Sequence, residues 1–240
     1  MKFIINGAGG RMGKALRAMI APADLAAAVD PFVQEDGMVA SLDAFAGEAD
    51  CIIDFSNHAG TAALMAYAQA KKLPVVVATT GHTEEELACI KAAAETVPVF
   101  YSGNMSVGIA LLTRLARQTA AMFPNADIEI VESHHNQKLD VPSGTALMLA
   151  KAVKDARPEA EFLVGRHENG KRTKQEIGIH SLRMGNTVGI HEVIVNTGTQ
   201  IITLKHEAQD RSLFAEGALT AAEFLAGKAP GMYNMDDMVK

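Results

Sequence analysis

Lys2-Phe3-Ile4-Ile5-Asn6-Gly7-Ala8-Gly9-Gly10-Arg11-Met12-Gly13 runs from a short apolar strand through a glycine turn into a helix. That order is the context a dinucleotide-binding fingerprint requires, since a lone glycine pattern carries little weight. Gly7, Gly10 and Gly13 form a G-x-x-G-x-x-G variant. The first permits the tight turn, the second lets backbone approach a pyrophosphate, and the third lets helix and sheet pack closely. A helix N-terminus beyond the turn favours the anion. The next strand ends in Asp30, an acidic residue near the expected offset. Its carboxylate can accept from adenosine ribose hydroxyls and repels a 2′-phosphate, so NADH is preferred and NADPH is possible.

Outward from this turn, short apolar runs alternate with helical patterns. Strands are expected at Lys2 to Asn6, Leu25 to Asp30, Cys51 to Asp54, Pro74 to Ala78 and Pro98 to Tyr101, and helices at Arg11 to Ile20, Thr61 to Lys71 and Glu84 to Glu95. Repeated βαβ order predicts a parallel sheet covered by helices. Ligands bind beyond the carboxyl ends of such strands, so Ala78-Thr79-Thr80-Gly81 and Ser102-Gly103-Asn104-Met105, with Asp54-Phe55-Ser56-Asn57, are placed to border the nicotinamide half.

After Met105 the pattern changes. Val107, Leu111, Leu115 and Met122 trace one face of a long helix with no short strand waiting at its end. A strand is expected at Asp127 to Ser133, a helix at Ser143 to Lys154, a polar connection over Arg157 to Lys174, and strands at Ile177 to Arg183, His191 to Asn196 and Gln200 to Ala208. Consecutive strands predict a mixed or antiparallel open sheet. A last helix, Arg211 to Ala226, carries Leu213, Phe214, Leu219 and Leu225, which need burial. The fold class is therefore α/β, a Rossmann-type parallel sheet domain plus an α+β domain.

Glu132-Ser133-His134-His135-Asn136-Gln137-Lys138-Leu139-Asp140-Val141-Pro142-Ser143-Gly144-Thr145-Ala146 is the most chemically loaded stretch. Adjacent histidines on extended backbone point to opposite sides, and no cysteine or carboxylate cluster completes a ligand set, so no metal is expected. His134 can give or take a proton near neutral pH, and Lys138 can act as an electrostatic anchor or proton donor. Ser143-Gly144-Thr145 is placed like a helix N-terminus, where free amides bind a carboxylate.

The 240 residues carry 28 acidic and 22 basic side chains, a net charge of -6 that disfavours nucleic acid as a partner. No apolar run approaches the roughly 18 residues of a membrane span. Cys51 and Cys89 sit in apolar segments, as reduced core residues would. The first strand follows the initiator Met directly, leaving no room for a secretory segment, so a cytoplasmic location is expected.

With the glycine loop, Asp-Phe-Ser, Ala-Thr-Thr-Gly, Ser-Gly-Asn-Met-Ser-Val-Gly, the His-His…Lys…Pro-Ser-Gly-Thr segment and Arg183-Met-Gly…Gly189-Ile-His191 in this order, the chain resembles the 4-hydroxy-tetrahydrodipicolinate (dihydrodipicolinate) reductases from end to end. The resemblance implies NAD(P)H-dependent reduction of a small cyclic imine dicarboxylate in the diaminopimelate route to lysine. It implies His134 and Lys138 as catalytic, and His135, Gly144 and Thr145 as substrate-binding. Gly7, Ala8, Gly9, Gly10, Arg11, Met12, Asp30, Ala78, Thr79, Thr80, Ser102, Gly103, Asn104 and Met105 would face the cofactor. It further implies a dinucleotide domain of 1–105 and 208–240, an inserted substrate, catalytic and oligomerisation domain of 106–207, and a homotetramer. The connection from Asp30 to Ser41 is short for that family, and Asn57 stands where some members carry arginine, which weakens the case for NADPH. Two other readings compete: a different two-domain dehydrogenase, which would need another polar set or a catalytic thiol, and a non-catalytic NADH sensor, which would have no use for His134 and Lys138.

Overall fold

The computed structural model describes residues 1–33 and 35–240; Gln34, in the connection after Asp30, lies outside the described residues. The chain divides into two compact units, Met1–Ser106 with Ser212–Lys240, and Val107–Arg211.

The first unit opens with β1 (Phe3–Asn6), α1 (Arg11–Met19), β2 (Leu25–Val29), β3 (Met38–Val39) and β4 (Cys51–Asp54). It continues through α2 (Thr61–Lys71), β5 (Val75–Val77), α3 (Glu84–Ala93) and β6 (Pro98–Tyr101). Ile4, Ile5, Ile52, Ile53, Val75, Val76, Val77 and Val99 are fully buried, as expected of strands covered on both faces. Thr83 starts α3 with a capping box: its hydroxyl accepts from the Glu86 amide while the Glu86 carboxylate accepts from the Thr83 amide.

The second unit holds α4 (Val107–Met122), β7 (Asp127–His134), α5 (Gly144–Ala156), β8 (Glu161–Val164), β9 (Glu176–Arg183), β10 (Gly189–Asn196) and β11 (Ile201–Ala208). Its sheet runs β11-β10-β7-β9-β8. β10 is antiparallel to β7 and β11, whereas β9 is parallel to β7 and β8, so the sheet is mixed. Ile128, Ile130, Ile177, Ile179, Val193 and Val195 pack on Ile109, Leu112, Ala116, Leu149 and Val153 of α4 and α5.

The expected long helix is present as α4, and its face that enters this core is Ile109, Leu112, Ala116 and Ala120, while the stripe Val107, Leu111, Leu115 and Met122 is exposed. The larger residues gave the stronger periodic signal, but small side chains suit a helix pressed against a neighbouring helix and a sheet. One expectation needs correction: the connection over Arg157 to Lys174 is not featureless, because Glu161–Val164 adds β8 as an edge strand beside β9.

The chain then returns to the first unit with α6 (Ser212–Leu225), β12 (Gly231–Tyr233) and α7 (Met235–Met238). α6 lies on α1 and on β4, β5 and β6. Its buried face is Ala215, Gly217, Ala218, Ala221, Ala222 and Leu225, with Leu213, Phe214 and Leu219 only half-buried. β12 pairs in parallel with β6, giving the order β12-β6-β5-β4-β1-β2-β3. Neither β3 nor β12 is evident from periodicity, since each contributes two or three residues at a sheet edge.

Candidate active site

The turn after β1 is built from close approaches. Gly7 has φ of +82°, and a Cβ there would lie 2.5 Å from the Phe55 carbonyl oxygen; a Cβ on Gly13 would lie 2.2 Å from the Gly7 carbonyl oxygen. Gly10 caps α1, and among the described residues no side chain takes up the amides of its first turn. These are the donors an anion would use. Asp30, at the end of β2, accepts from the amides of Gly9 (3.0 Å), Phe32 (2.9 Å) and Val33 (3.0 Å). Burial alone would raise its pKa, but the three amides outweigh burial and leave the carboxyl below its ordinary value. A cavity of about 780 Å³ opens here, lined in part by Gly7, Gly10, Asp30, Phe32, Ser41 and Asp43.

Asp54 closes β4 almost wholly buried. It accepts from Asn6 Nδ2 (2.8 Å), Ser56 Oγ (2.6 Å) and Thr79 Oγ1 (2.7 Å), so one carboxylate ties three strand ends together. Burial raises its pKa despite these bonds. The turn after β6 braces itself: Ser102 Oγ donates to the Asn104 carbonyl, and Asn104 Oδ1 accepts from the Ser106 amide.

In the second unit, strand register gathers a polar group. Residues two apart on a strand share a face, so Glu132 and His134 point the same way from β7. Opposite them stand His191 of β10, paired with Glu132, and Arg183 of β9, paired with His134. Glu132 is fully buried. It accepts from His134 Nδ1 (2.5 Å), from Arg183 Nη1 (3.0 Å) and Nη2 (2.8 Å), and from the Ser143 amide (3.2 Å). Burial would push this carboxyl up, but Arg183, Ser181 and His134 together hold it at about 2. Burial lowers the pKa of His134; Glu132 opposes that, and Lys138 and Arg183 reinforce it. Lys138 Nζ meets Asp140 Oδ1 at 2.8 Å. Ser143 caps α5 by accepting from the Ala146 amide, which leaves Gly144 at the mouth of the helix with open space around its Cα.

Family models described as dihydrodipicolinate reductase, N-terminus and C-terminus, match residues 1–105 and 108–239. A 4-hydroxy-tetrahydrodipicolinate reductase from Caldanaerobacter subterraneus subsp. tengcongensis is 43% identical over 247 residues, covering 100% of this chain and 98% of the relative. One from Clostridium novyi is 42% identical with the same coverage. This chain belongs to the dihydrodipicolinate reductase family. The dipicolinate-bound dihydrodipicolinate reductase from Paenisporosarcina sp. TG-14 shares its fold, with a TM-score of 0.82 at 24% identity over 98% of this chain and 97% of that one. The chain is accordingly an NAD(P)H-using oxidoreductase of two units, a parallel Rossmann-type sheet and a mixed sheet.

In this reductase the residues expected at the cofactor, Gly7 to Met12, Asp30, Ala78 to Thr80 and Ser102 to Met105, all fall at the carboxyl ends of β1, β2, β5 and β6. Not all of them offer a side chain. Ala8 and Met105 are buried, and the Thr79 hydroxyl is turned to Asp54. His134, His135, Lys138, Gly144 and Thr145 lie between the end of β7 and the first turn of α5. The sequence reading gave no role to Glu132, Arg183 or His191. The i, i+2 spacing of Glu132 and His134 was a usable signal, but the other two come from strands whose register no local pattern reveals.

Proposed function

We propose that this chain reduces 4-hydroxy-tetrahydrodipicolinate, by way of dihydrodipicolinate, to tetrahydrodipicolinate in lysine and diaminopimelate biosynthesis. In this reading Met1–Ser106 with Ser212–Lys240 is the dinucleotide domain, and Val107–Arg211 binds substrate and supplies the proton. The bound nicotinamide supplies a hydride. The glycine turn and the amides opening α1 hold the pyrophosphate, and Asp30 holds the adenosine ribose. Both charged residues lining the cavity, Asp30 and Asp43, are acidic, which supports NADH over NADPH.

The observation that carries the assignment is the pairing of His134 with a buried anion beside the open N-terminus of α5. The amides of Gly144 and Thr145, with His135, hold a substrate carboxylate, where helix polarity favours negative charge. Electron density that builds on the ring-nitrogen side of the imine is met by the Lys138 cation and by a proton from Lys138 or His134. Such groups stabilise the transition state more than the ground state.

The direct test is NADH oxidation with the product of dihydrodipicolinate synthase as substrate. Turnover is expected, with higher kcat/KM for NADH than for NADPH. Lys138→Met and His134→Gln should each lower kcat about 100- to 10,000-fold with little change in NADH affinity. Near-native kcat in Lys138→Met would overturn the mechanism, and a markedly higher kcat/KM with NADPH would overturn the cofactor assignment.

A homotetramer is part of the same proposal. Leu182 and Ile201 are exposed on the sheet face opposite Ile177, Ile179, Ile202 and Leu204, which face the helices. Sedimentation of the purified protein decides the stoichiometry. Cys51 and Cys89 are free, which supports a reducing, cytoplasmic setting. Among the described residues no helix is long and apolar enough to cross a membrane.

A further inference from the structure

Glu132, Arg183 and His191 surround His134 but make no contact with substrate in the reaction as just assigned. A fully buried carboxylate is costly unless its partners compensate, and a buried ion pair on its own is weak support for stability. Here every partner also leads to a group that meets the substrate in the proposed reaction. Glu132 Oε2 accepts a hydrogen bond from His134 Nδ1 at 2.5 Å, and Oε1 accepts from the Ser143 amide at 3.2 Å, just ahead of Gly144 and Thr145. Arg183 forks onto both oxygens and sends a further bond from Nη2 to the Asp140 carbonyl (2.8 Å), in the loop that carries Lys138.

We infer that Glu132, clamped by Arg183, is a positioning residue that fixes the proton of His134 on Nδ1 and leaves Nε2 as the nitrogen that exchanges a proton with substrate. The inference rests on the proposed role of His134. The chemistry is one-sided, because an ionised carboxylate can only accept. Wherever Glu132 is charged, the facing nitrogen must carry hydrogen, so neutral His134 is the Nδ1–H form. A carboxylate set behind an imidazole orients it in the same way in hydrolytic triads.

Two further contacts hold the ring. A Cβ on Gly189 would lie 3.2 Å from His134 Nε2, so the imidazole rests against a position with no side chain. His191 packs edge-on against it, with centroids 5.1 Å apart at 73°, and shares a 3.1 Å hydrogen bond with Ser143 Oγ. Burial, followed by repulsion from His134, holds His191 at about 4, so near neutrality it is a neutral wall and not a second cation.

The groups that face His134 are Glu132 on its own strand, Lys138 in the following loop, Arg183 on β9 and His191 on β10; His206 of β11 acts on His191 behind it. Of these, Glu132 alone raises the His134 pKa as an anion. Removing it must therefore move the His134 limb of the pH profile to lower pH.

The experiment uses the full-length enzyme with 15N-labelled histidine. In the wild type, neutral His134 should give the nitrogen shifts of an Nδ1–H ring. Glu132→Gln should lower kcat about 10- to 1,000-fold, part of what general acid-base help is worth, keep KM for NADH within about twofold, and move the His134 limb of the pH profile to lower pH. His134→Gln runs beside it: retained kcat there would defeat the proposed role of His134 while the nitrogen shifts still report on the tautomer. If His134→Gln is crippled but Glu132→Gln keeps its kcat and pH limb, the positioning inference is overturned. An Nε2–H ring in the wild type overturns it equally, and that measurement needs no variant to fold.

Discussion

Asp54 and Glu132 are both almost wholly buried carboxylates at strand ends, one in each unit, and their surroundings drive them in opposite directions. Among the described residues Asp54 has only neutral donors, the side chains of Asn6, Ser56 and Thr79 and the Ser56 amide, and burial wins, raising its pKa. Glu132 has the Arg183 guanidinium, the Ser181 side chain and the His134 imidazole, and they outweigh burial to hold it at about 2. At Asp54 the neutral hydrogen bonds lower the pKa but do not overcome its burial, whereas at Glu132 a guanidinium and an imidazole do. In the reaction proposed above, the first carboxylate holds strand ends still beside the glycine turn, and the second stands behind the imidazole proposed to exchange a proton.

The largest effect should come from removing the cation. Arg183→Met leaves Glu132 buried with its main counterion gone, at a cost of about 3 to 5 kcal/mol to the second unit, read as a drop in its thermal midpoint. A loss below about 1 kcal/mol would mean that the two carboxylates are not so different.

Acid should separate the units next. His191 binds a proton more weakly in the fold, at about 4, than in an unfolded chain, near 6.5, so the unfolded state holds more protons in that window. Stability is fully present above pH 6.5 and falls, by on the order of 3 kcal/mol, as pH drops toward 4. Glu132 adds a further loss between about 4.5 and 2. Asp54 has the opposite sign, its raised value favouring the fold below the ordinary 3.8 and losing that benefit as pH rises. Amide exchange on each unit should find the second opening first on acidification, and simultaneous opening would contradict the contrast.

At the substrate end, Thr145→Val should raise substrate KM by about tenfold and leave kcat little changed, the signature of lost binding and not of lost proton transfer. The smallest stability effect should be Asp54→Asn, within about 1 kcal/mol at neutral pH, because an amide keeps one acceptor and adds a donor that the Thr79 hydroxyl can meet. A loss as large as that of Arg183→Met would break the comparison from the other side.

What could be read in advance follows the same division. The glycine turn, Asp30 and the strand-end turns are contiguous in sequence and obey local rules, and the two-period and 3.6-period patterns located most elements to within a residue or two. His134 and Lys138 stood out because they lie four residues apart in one polar stretch. Glu132, Arg183 and His191 did not, because they meet through the registers β7–β9 and β7–β10, and register is a property of the assembled sheet. The buried face of α4 was out of reach for a related reason: periodicity identifies a stripe, but its neighbours decide which stripe is buried. β8, β3 and β12 are edge strands of two to four residues whose pairing, more than their composition, makes them strands.

The pairing of β12 with β6 also sets an order of assembly. As the ribosome extends the chain, everything needed by Val107–Arg211 is available once Arg211 has emerged, while the parallel sheet still lacks its last strand and the alanine-lined helix that covers it. The unit begun first is therefore the one finished last. Its edge at Pro98–Tyr101 lacks its partner until Gly231–Tyr233 arrives, which leaves an open strand edge on the nascent chain.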